Sequence, residues 1–425
     1  MTERSDKQLA CTRAAAEQQK AWFTQLRQEV FTDQRPYAIV QADMPLEIFS
    51  VMDVPVVSNQ WWAAMIAAKR MSATYFDTLN AHGFHEGLCR YCSLGLGCTL
   101  ANDPANAPWG GLPGPALLSA RLTCDCIQRV FALWAEAFDV PFIPLDNTGA
   151  THLPPRWWEQ SRHQWEQLFE AHRLDHMVAE LRTLIQALEK ITGRKFDPDR
   201  LRALMEAVNQ QELYFEEVRE MICRAPQTPV RMNEQAQNVM TTQWRRGGEW
   251  AVSHARAFRD EVRQRVKQGV AAVPHERLRL MWIGAGLWHD TAFYTAFEEE
   301  YGAVFVWSMY LAFGPDGYLR YGLDDPLRAL ASRVVSFNEQ LHNPPWANEW
   351  IAHQAREHRI DGALLLIPAG SRPSVTGSYF IRHALAAAGV PVLEIWADMV
   401  DARGWDPAAM RERVGAFITD RLPRR

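Results

Sequence analysis

The sequence predicts an α/β protein in which two parallel-sheet units flank a helical domain, and three observations carry that expectation. Short apolar runs bounded by turn residues recur in both halves of the chain, each followed by a loop and a helical pattern, the alternation that strands and crossover helices produce. Between them lies a long stretch whose apolar positions recur only at three- and four-residue steps. At 425 residues the chain also exceeds one ordinary core, so two or three packed units of roughly 100–200 residues each are expected.

Taken in order, residues 1–35 read as an amphipathic, charge-rich helical arm that packs on a neighbouring domain or subunit. Residues 36–154 form the first α/β unit, with strands expected at Tyr37-Ala-Ile-Val-Gln-Ala, Pro55-Val-Val-Ser and Val140-Pro-Phe-Ile-Pro-Leu-Asp. Residues 155–275 form the helical domain: Leu174, Met177, Leu181, Leu184, Ile185 and Leu188 share one helix face, Gly193 ends that helix, and Asp197-Pro-Asp starts the next. Residues 276–425 form the second α/β unit, with strands at Arg279-Leu-Met-Trp-Ile-Gly, Ala303-Val-Phe-Val-Trp-Ser, Gly362-Ala-Leu-Leu-Leu-Ile and Val390-Pro-Val-Leu-Glu-Ile. Open α/β sheets bind ligands beyond the carboxyl ends of their strands, so function is sought in the loops that follow.

Composition narrows the classes. Apolar residues make up 48% and charged residues 22%, as in folded globular chains. The net charge of -5 comes from mixed signs without a basic block, which argues against nucleic acid. The N-terminus, Met-Thr-Glu-Arg-Ser-Asp-Lys, has no apolar leader region, and no uncharged apolar run reaches the ~18 residues of a membrane span. A cytoplasmic location is expected.

Five of the 7 cysteines fall in one short stretch: Cys89, Cys92, Cys98, Cys124 and Cys126. Gly87-Leu-Cys89-Arg-Tyr-Cys92-Ser-Leu-Gly-Leu-Gly-Cys98 reads as a glycine-rich loop that turns thiolates and backbone N–H groups toward one point. Thr123-Cys124-Asp-Cys126 opens a helical pattern, where the positive helix end favours the thiolate. By spacing alone the thiols suit an iron–sulfur site, zinc, or packed spectators. Cys11 and Cys223 lie apart and read as spectators.

Other residues are less specific. The 17 tryptophans read mainly as core, with some left to wall an aromatic acyl pocket. Ile283-Gly-Ala-Gly-Leu-Trp-His follows a strand and opens a helix, so Gly284, Gly286 and Trp288 are candidates for contact with a phosphate or thioester oxygen; a tight structural turn is the alternative. His289 is a candidate proton donor, and His82, His85 and Glu86, just before Cys89, are candidates to donate protons or tune a metal site. No Gly-x-x-x-x-Gly-Lys-Ser/Thr occurs, so ATP is not bound here by that device.

At the cysteines the sequence resembles the family of 2-hydroxyacyl-CoA dehydratase and benzoyl-CoA reductase subunits. Cys89-x-Tyr91 with Leu96-Gly97 is similar to the family's first cluster-cysteine motif, and Cys124-Asp followed by a helix and Val140-Pro to its second. Lys190-Ile-Thr-Gly-Arg-Lys, Phe297-Glu-Glu-Glu-Tyr-Gly-Ala and Gly389-Val-Pro-Val-Leu-Glu-Ile-Trp-Ala-Asp resemble further signatures, in the family's order. The resemblance spans most of the chain. It implies two Rossmann-like lobes joined by helices, pairing with a homologous cluster-bearing subunit around an acyl-CoA site, and Cys89 and Cys124 as ligands of a [4Fe–4S] cluster. One departure stands out: the loop that usually supplies a third cysteine reads Ala369-Gly-Ser-Arg-Pro-Ser-Val-Thr-Gly. Replacement by Cys92, Cys98 or Cys126 is the expectation; incomplete binding, or a subunit without a cluster, are the alternatives.

The function expected is an iron–sulfur subunit of an ATP-dependent benzoyl-CoA reductase, with a dry, aromatic-lined pocket for a flat acyl group and a separate ATP-hydrolysing activator as electron donor. A 2-hydroxyacyl-CoA dehydratase subunit using a recycled electron is the runner-up. A non-catalytic scaffold that completes a partner's site is a third reading, from a different class.

Overall fold

The computed structural model describes residues 8–341, 345–368, 370–371 and 377–422. Two four-stranded sheets, every pairing parallel, form its framework. The first contains β1 (Ala38–Val40), β2 (Val56–Ser58), β3 (Leu117–Arg121) and β4 (Phe142–Leu145) in the order β2-β1-β3-β4. The second contains β5 (Leu278–Ile283), β6 (Ala303–Ser308), β7 (Gly362–Ile367) and β8 (Val392–Trp396) in the order β6-β5-β7-β8. The α/β expectation with two lobes holds. Central strands are continuous apolar runs because helices cover both faces; every residue of Gly362-Ala-Leu-Leu-Leu-Ile is buried. β3 escapes the sequence reading because its Leu-Leu-Ser-Ala-Arg lacks β-branched residues and ends on a charge.

Helices fill the stretch between the sheets. Ala171–Thr192 ends on Gly193 in the left-handed conformation (φ 68°), and Pro198–Arg224 starts where the Asp197 side chain accepts from the Asp199 and Arg200 N–H groups, as the punctuation predicts. The N-terminal helix, Ala10–Asp33, ties helical region and first lobe together. Glu234 accepts from the Leu9 N–H and Glu261 from those of Ala10 and Cys11, carboxylates set against the positive helix end, while Phe23 packs among Trp61, Trp62 and Trp109.

One buried carboxylate joins three regions. Glu47, in the first lobe, accepts from Arg246 at 2.7 and 2.9 Å and from Arg333 at 2.9 Å, the former beside the helical stretch and the latter on the helix Pro326–Leu341. Burial opposes its charge, but the two guanidiniums outweigh burial and hold the carboxyl at about 2. Among the described residues no helix is long and apolar enough to cross a membrane.

Candidate metal centre and cavity

Two helices aim their N-termini at one point. Cys89 is the N-cap of the helix Arg90–Ala101 and Cys124 that of the helix Asp125–Phe138, where its sulfur accepts from the Ile127 N–H at 3.4 Å. Cys92 and Cys126 lie in the first turns of the same helices, so all four thiols meet. The sulfurs of Cys89, Cys92 and Cys126 all lie within 4.8 Å of one another, and Cys92 also bonds Cys124.

The electrostatics split the four into two pairs. Hydrogen bonds from Cys126 and Cys92 carry the Cys89 thiol well below the usual range despite burial, and a bond from Cys92 lowers Cys124. The donors respond oppositely: bonds to Cys124, Cys126 and Cys89, then burial, push Cys92 well up, and the bond to Cys89 pushes Cys126 up to about 12. The thiolate character falls on the two N-caps, where unpaired helix N–H groups and the dipole favour negative sulfur.

The glycine-rich stretch is not a loop. Residues 90–101 are helical, and its glycines serve packing: a Cβ on Gly95 would lie 2.3 Å from the Trp134 ring, and one on Gly97 would lie 2.7 Å from the Tyr75 carbonyl oxygen. Cys98, further along this helix, is bonded by Tyr75, and burial pushes its thiol up; it does not join the other four.

The thiols form part of the wall of a cavity of about 220 Å³. Gln41 follows β1, Gln60 β2, Thr123 β3, Gly284 and Ala285 β5, Met309 β6, Gly370 and Ser371 β7, and Met399 β8, so the carboxyl ends of both sheets supply its lining. The cavity therefore sits where open sheets hold ligands. The loop that lacks the expected cysteine reaches the site all the same, since a Cβ on Gly370 would lie 3.2 Å from the Gly87 carbonyl oxygen and 3.7 Å from the Cys89 Cα; Arg372–Thr376 fall outside the described residues.

Among the described residues no tryptophan lines the cavity. Among the described residues the aromatic side chains lining the cavity are Tyr91 and Tyr310; the remaining walls are aliphatic (Ile283, Ile351, Leu365, Ile381) or polar (Gln41, Asp43, Gln340, Asn348). Trp288 stands behind this wall, donating from Nε1 to the Tyr91 hydroxyl at 3.1 Å. The loop after β5 does not open an α-helix directly but runs into a 3-10 turn, Thr291–Thr295. Its N–H groups are engaged within the chain: Gly286 donates to the Tyr310 hydroxyl, Leu287 to that of Tyr294, and Trp288 to the Met399 carbonyl. Gly284, at φ 109° and with Leu366 3.1 Å from where its Cβ would be, is a backbone requirement of the turn that also lines the cavity.

The two candidate histidines are not among the cavity's lining residues. His85 is exposed, its Nδ1 accepting from the Gly87 N–H at 2.9 Å. His289 is buried against Trp405; burial lowers its pKa, so the ring is neutral and its Nε2 proton goes to the Asp398 carbonyl at 3.0 Å. Glu86 and His82 are also exposed. Sequence reasoning missed Gln340 and Asn348, because isolated amides on helices carry no motif.

Four cysteines on the wall of a cavity between the carboxyl ends of two parallel sheets define an α/β protein with a thiol cluster, of which Cys89, Cys92 and Cys126 could hold a metal. The chain belongs to the family of the 2-hydroxyglutaryl-CoA dehydratase D-component, whose model matches residues 41–419. It is 21% identical over 390 residues to the (R)-2-hydroxyisocaproyl-CoA dehydratase alpha subunit of Clostridioides difficile, covering 90% of each chain. It is 25% identical over 357 residues to a benzoyl-CoA reductase subunit of Thauera aromatica, covering 79% of this chain and 77% of that one. It is 22% identical over 386 residues to the (R)-phenyllactyl-CoA dehydratase alpha subunit of Clostridium sporogenes, covering 88% and 86%. The resemblance read from the sequence is borne out, and an enzyme subunit of this type is supported.

Proposed function

We propose that this chain is the cluster-bearing subunit of an acyl-CoA enzyme driven by low-potential electrons. Cys89, Cys92, Cys124 and Cys126 hold a [4Fe–4S] cluster, and the adjoining cavity receives the acyl end of the thioester. The observation that carries this reading is the convergence of four thiols on the wall of a cavity. The donor set fits a sulfide-rich cluster, which cysteine thiolates bind. Zinc also accepts four thiolates, but a closed structural zinc site needs no adjoining cavity.

A cluster bound there would supply single electrons to the thioester. The chain's own residues do the rest: Cys89 and Cys124 present thiolates at helix N-termini, Ile283, Ile351, Leu365 and Ile381 exclude water, and Tyr91, held by Trp288, offers a hydroxyl at the wall. Reduction of an aromatic thioester, the reaction first expected, rests on the relative named as a benzoyl-CoA reductase subunit and on the Tyr91 and Tyr310 rings. The amides and carboxylates of the lining favour dehydration of a 2-hydroxyacyl-CoA, in line with the relatives named as dehydratase alpha subunits. We therefore place dehydration first. The missing Walker motif fits a separate ATP-hydrolysing activator, and the relatives' names as subunits fit a homologous partner chain.

Turnover tests the choice. With the purified complex and a metered reductant, dehydration gives many products for each priming electron, whereas reduction consumes electrons in step with product. Stoichiometric consumption would return the assignment to a reductase. A complex that binds neither iron nor acyl-CoA through this chain would make it the scaffold.

A further inference from the structure

Two tyrosines on the cavity wall are joined by hydrogen bonds that run in one direction. Tyr91, between Cys89 and Cys92, and Tyr310, just after β6, both line the cavity, and their hydroxyls bond each other. Each phenol oxygen also takes a bond from a group that can only donate: Trp288 Nε1 gives to Tyr91 at 3.1 Å, and the Gly286 N–H gives to Tyr310 at 3.2 Å. Two phenols hold two protons and share one bond, so one O–H is given outside the pair, and neither Trp288 Nε1 nor the Gly286 nitrogen can take it. The sense of the shared bond decides which one: it pushes the Tyr91 phenol up while opposing the rise that burial imposes on Tyr310, so Tyr91 is the donor. The chain of donors therefore runs from Trp288 through Tyr91 and ends on the Tyr310 hydroxyl.

The loop after β5 is shaped to hold this chain. A Cβ on Gly286 would lie 2.7 Å from the Trp288 ring, so this glycine both donates to Tyr310 and leaves room for the indole, which packs on Tyr310 with ring centroids 5.6 Å apart. Other polar groups of the lining are spent within the protein: Gln41 donates to Thr123 at 2.9 Å and accepts from the Arg121 N–H at 2.8 Å, and Gln60 accepts from the Ala42 N–H at 2.8 Å. We infer that Tyr310 is a catalytic residue that donates its O–H to the carbonyl oxygen of the bound thioester, with Tyr91 and Trp288 as positioning residues behind it, an inference that rests on the acyl-CoA reading above. A thioester carbonyl only accepts, which matches a chain that ends on a donor. Tyr91 shares its helical turn with Cys92, so the wall that holds the carbonyl is continuous with the thiols. The carbonyl oxygen gains negative charge when the thioester takes up an electron, and a donor fixed in advance is most effective where charge develops.

Infrared difference spectra of the unreduced complex test this with propionyl-CoA and benzoyl-CoA, each isotopically labelled at the carbonyl carbon, alongside equilibrium binding of the same two ligands. The bound carbonyl band is expected at lower frequency in the wild type than in Tyr310→Phe, and the variant should bind about fivefold more weakly. Trp288→Phe removes the donor that orients Tyr91, and should move the band part of the way toward its position in Tyr310→Phe. The same band in wild type and Tyr310→Phe, with thioester bound to both, would overturn the inference while keeping the acyl-CoA site. Should Tyr310→Phe fail to fold, the wild-type band decides: a frequency equal to that of the same thioester in an aprotic solvent marks an unbonded carbonyl and overturns the inference. A band unmoved by Trp288→Phe would overturn the positioning role of Tyr91 and Trp288. Binding of neither thioester to the wild type would remove the site itself, and the inference with it.

Discussion

The two lobes share one strand order, β2-β1-β3-β4 and β6-β5-β7-β8, yet the loops that leave them carry different chemistry. In the first lobe the segments after β2 and β3 lead to Cys89, Cys92, Cys124 and Cys126, with the helix N-termini behind them. In the second, the corresponding ends offer glycines, a serine and methionines, and its helices add Gln340 and Asn348. The comparison shows how a repeated architecture divides labour: one sheet end gathers the thiols that could hold a metal, the other shapes the space beside them. The division needs the lobes held in fixed relation, which the buried Glu47 junction provides.

The largest expected effect is therefore at that junction. Glu47→Gln leaves Arg246 and Arg333 buried without their counter-charge, and should cost about 3–5 kcal/mol in denaturant unfolding. A loss below about 1 kcal/mol would show that the lobes are held otherwise. Next comes the helix that carries Cys92: Gly95→Ala drives a methyl into the Trp134 ring and should cost about 3 kcal/mol and lower iron content. An unperturbed Gly95→Ala protein would mean that the helix has room to shift.

Glu212 supplies a pH-dependent test of the same core. Burial raises its carboxyl from the ordinary 4.5 to about 7, partly offset by Gln243, Arg246 and Arg333. The folded chain then holds a proton that the unfolded chain releases, so stability falls as pH rises from about 4.5 to about 7 and the loss is complete above that. Glu212→Gln should raise stability by about 3 kcal/mol at pH 8 and lose that advantage near pH 4. Denaturation curves at the two pH values check the sign. The smallest effect belongs to His85→Ala: the ring is exposed and bonds only Gly87 among the described contacts, so iron content should stay constant and stability change by less than about 0.5 kcal/mol.

Much of this architecture was legible because parallel strands buried on both faces must be written as apolar runs, and Gly193 and Asp197 punctuate their helices by conformations few residues favour. β3 was not legible: its leucines and alanine suit a helix equally, and Arg121, buried at its end, breaks the pattern. At the site, Cys89 and Cys124 were readable by resemblance, and Cys92 and Cys126 by adjacency. Gly95 and Gly97 misled because a sequence cannot tell a glycine that turns the chain from one that admits a tryptophan ring or a neighbouring backbone. Gln340 and Asn348 were silent, since their place on the cavity wall arises only when distant helices close it.

The most direct test of the central claim is anaerobic iron and acid-labile sulfide analysis, with electron paramagnetic resonance after reduction, on the chain co-expressed with its partner. The wild type is compared with Cys89→Ser, Cys92→Ser, Cys124→Ser, Cys126→Ser and Cys98→Ser. The account predicts that each of the first four variants loses or alters one cluster signal while Cys98→Ser keeps it. Iron, sulfide and spectra unchanged across all five would place the metal in the partner and contradict the assignment.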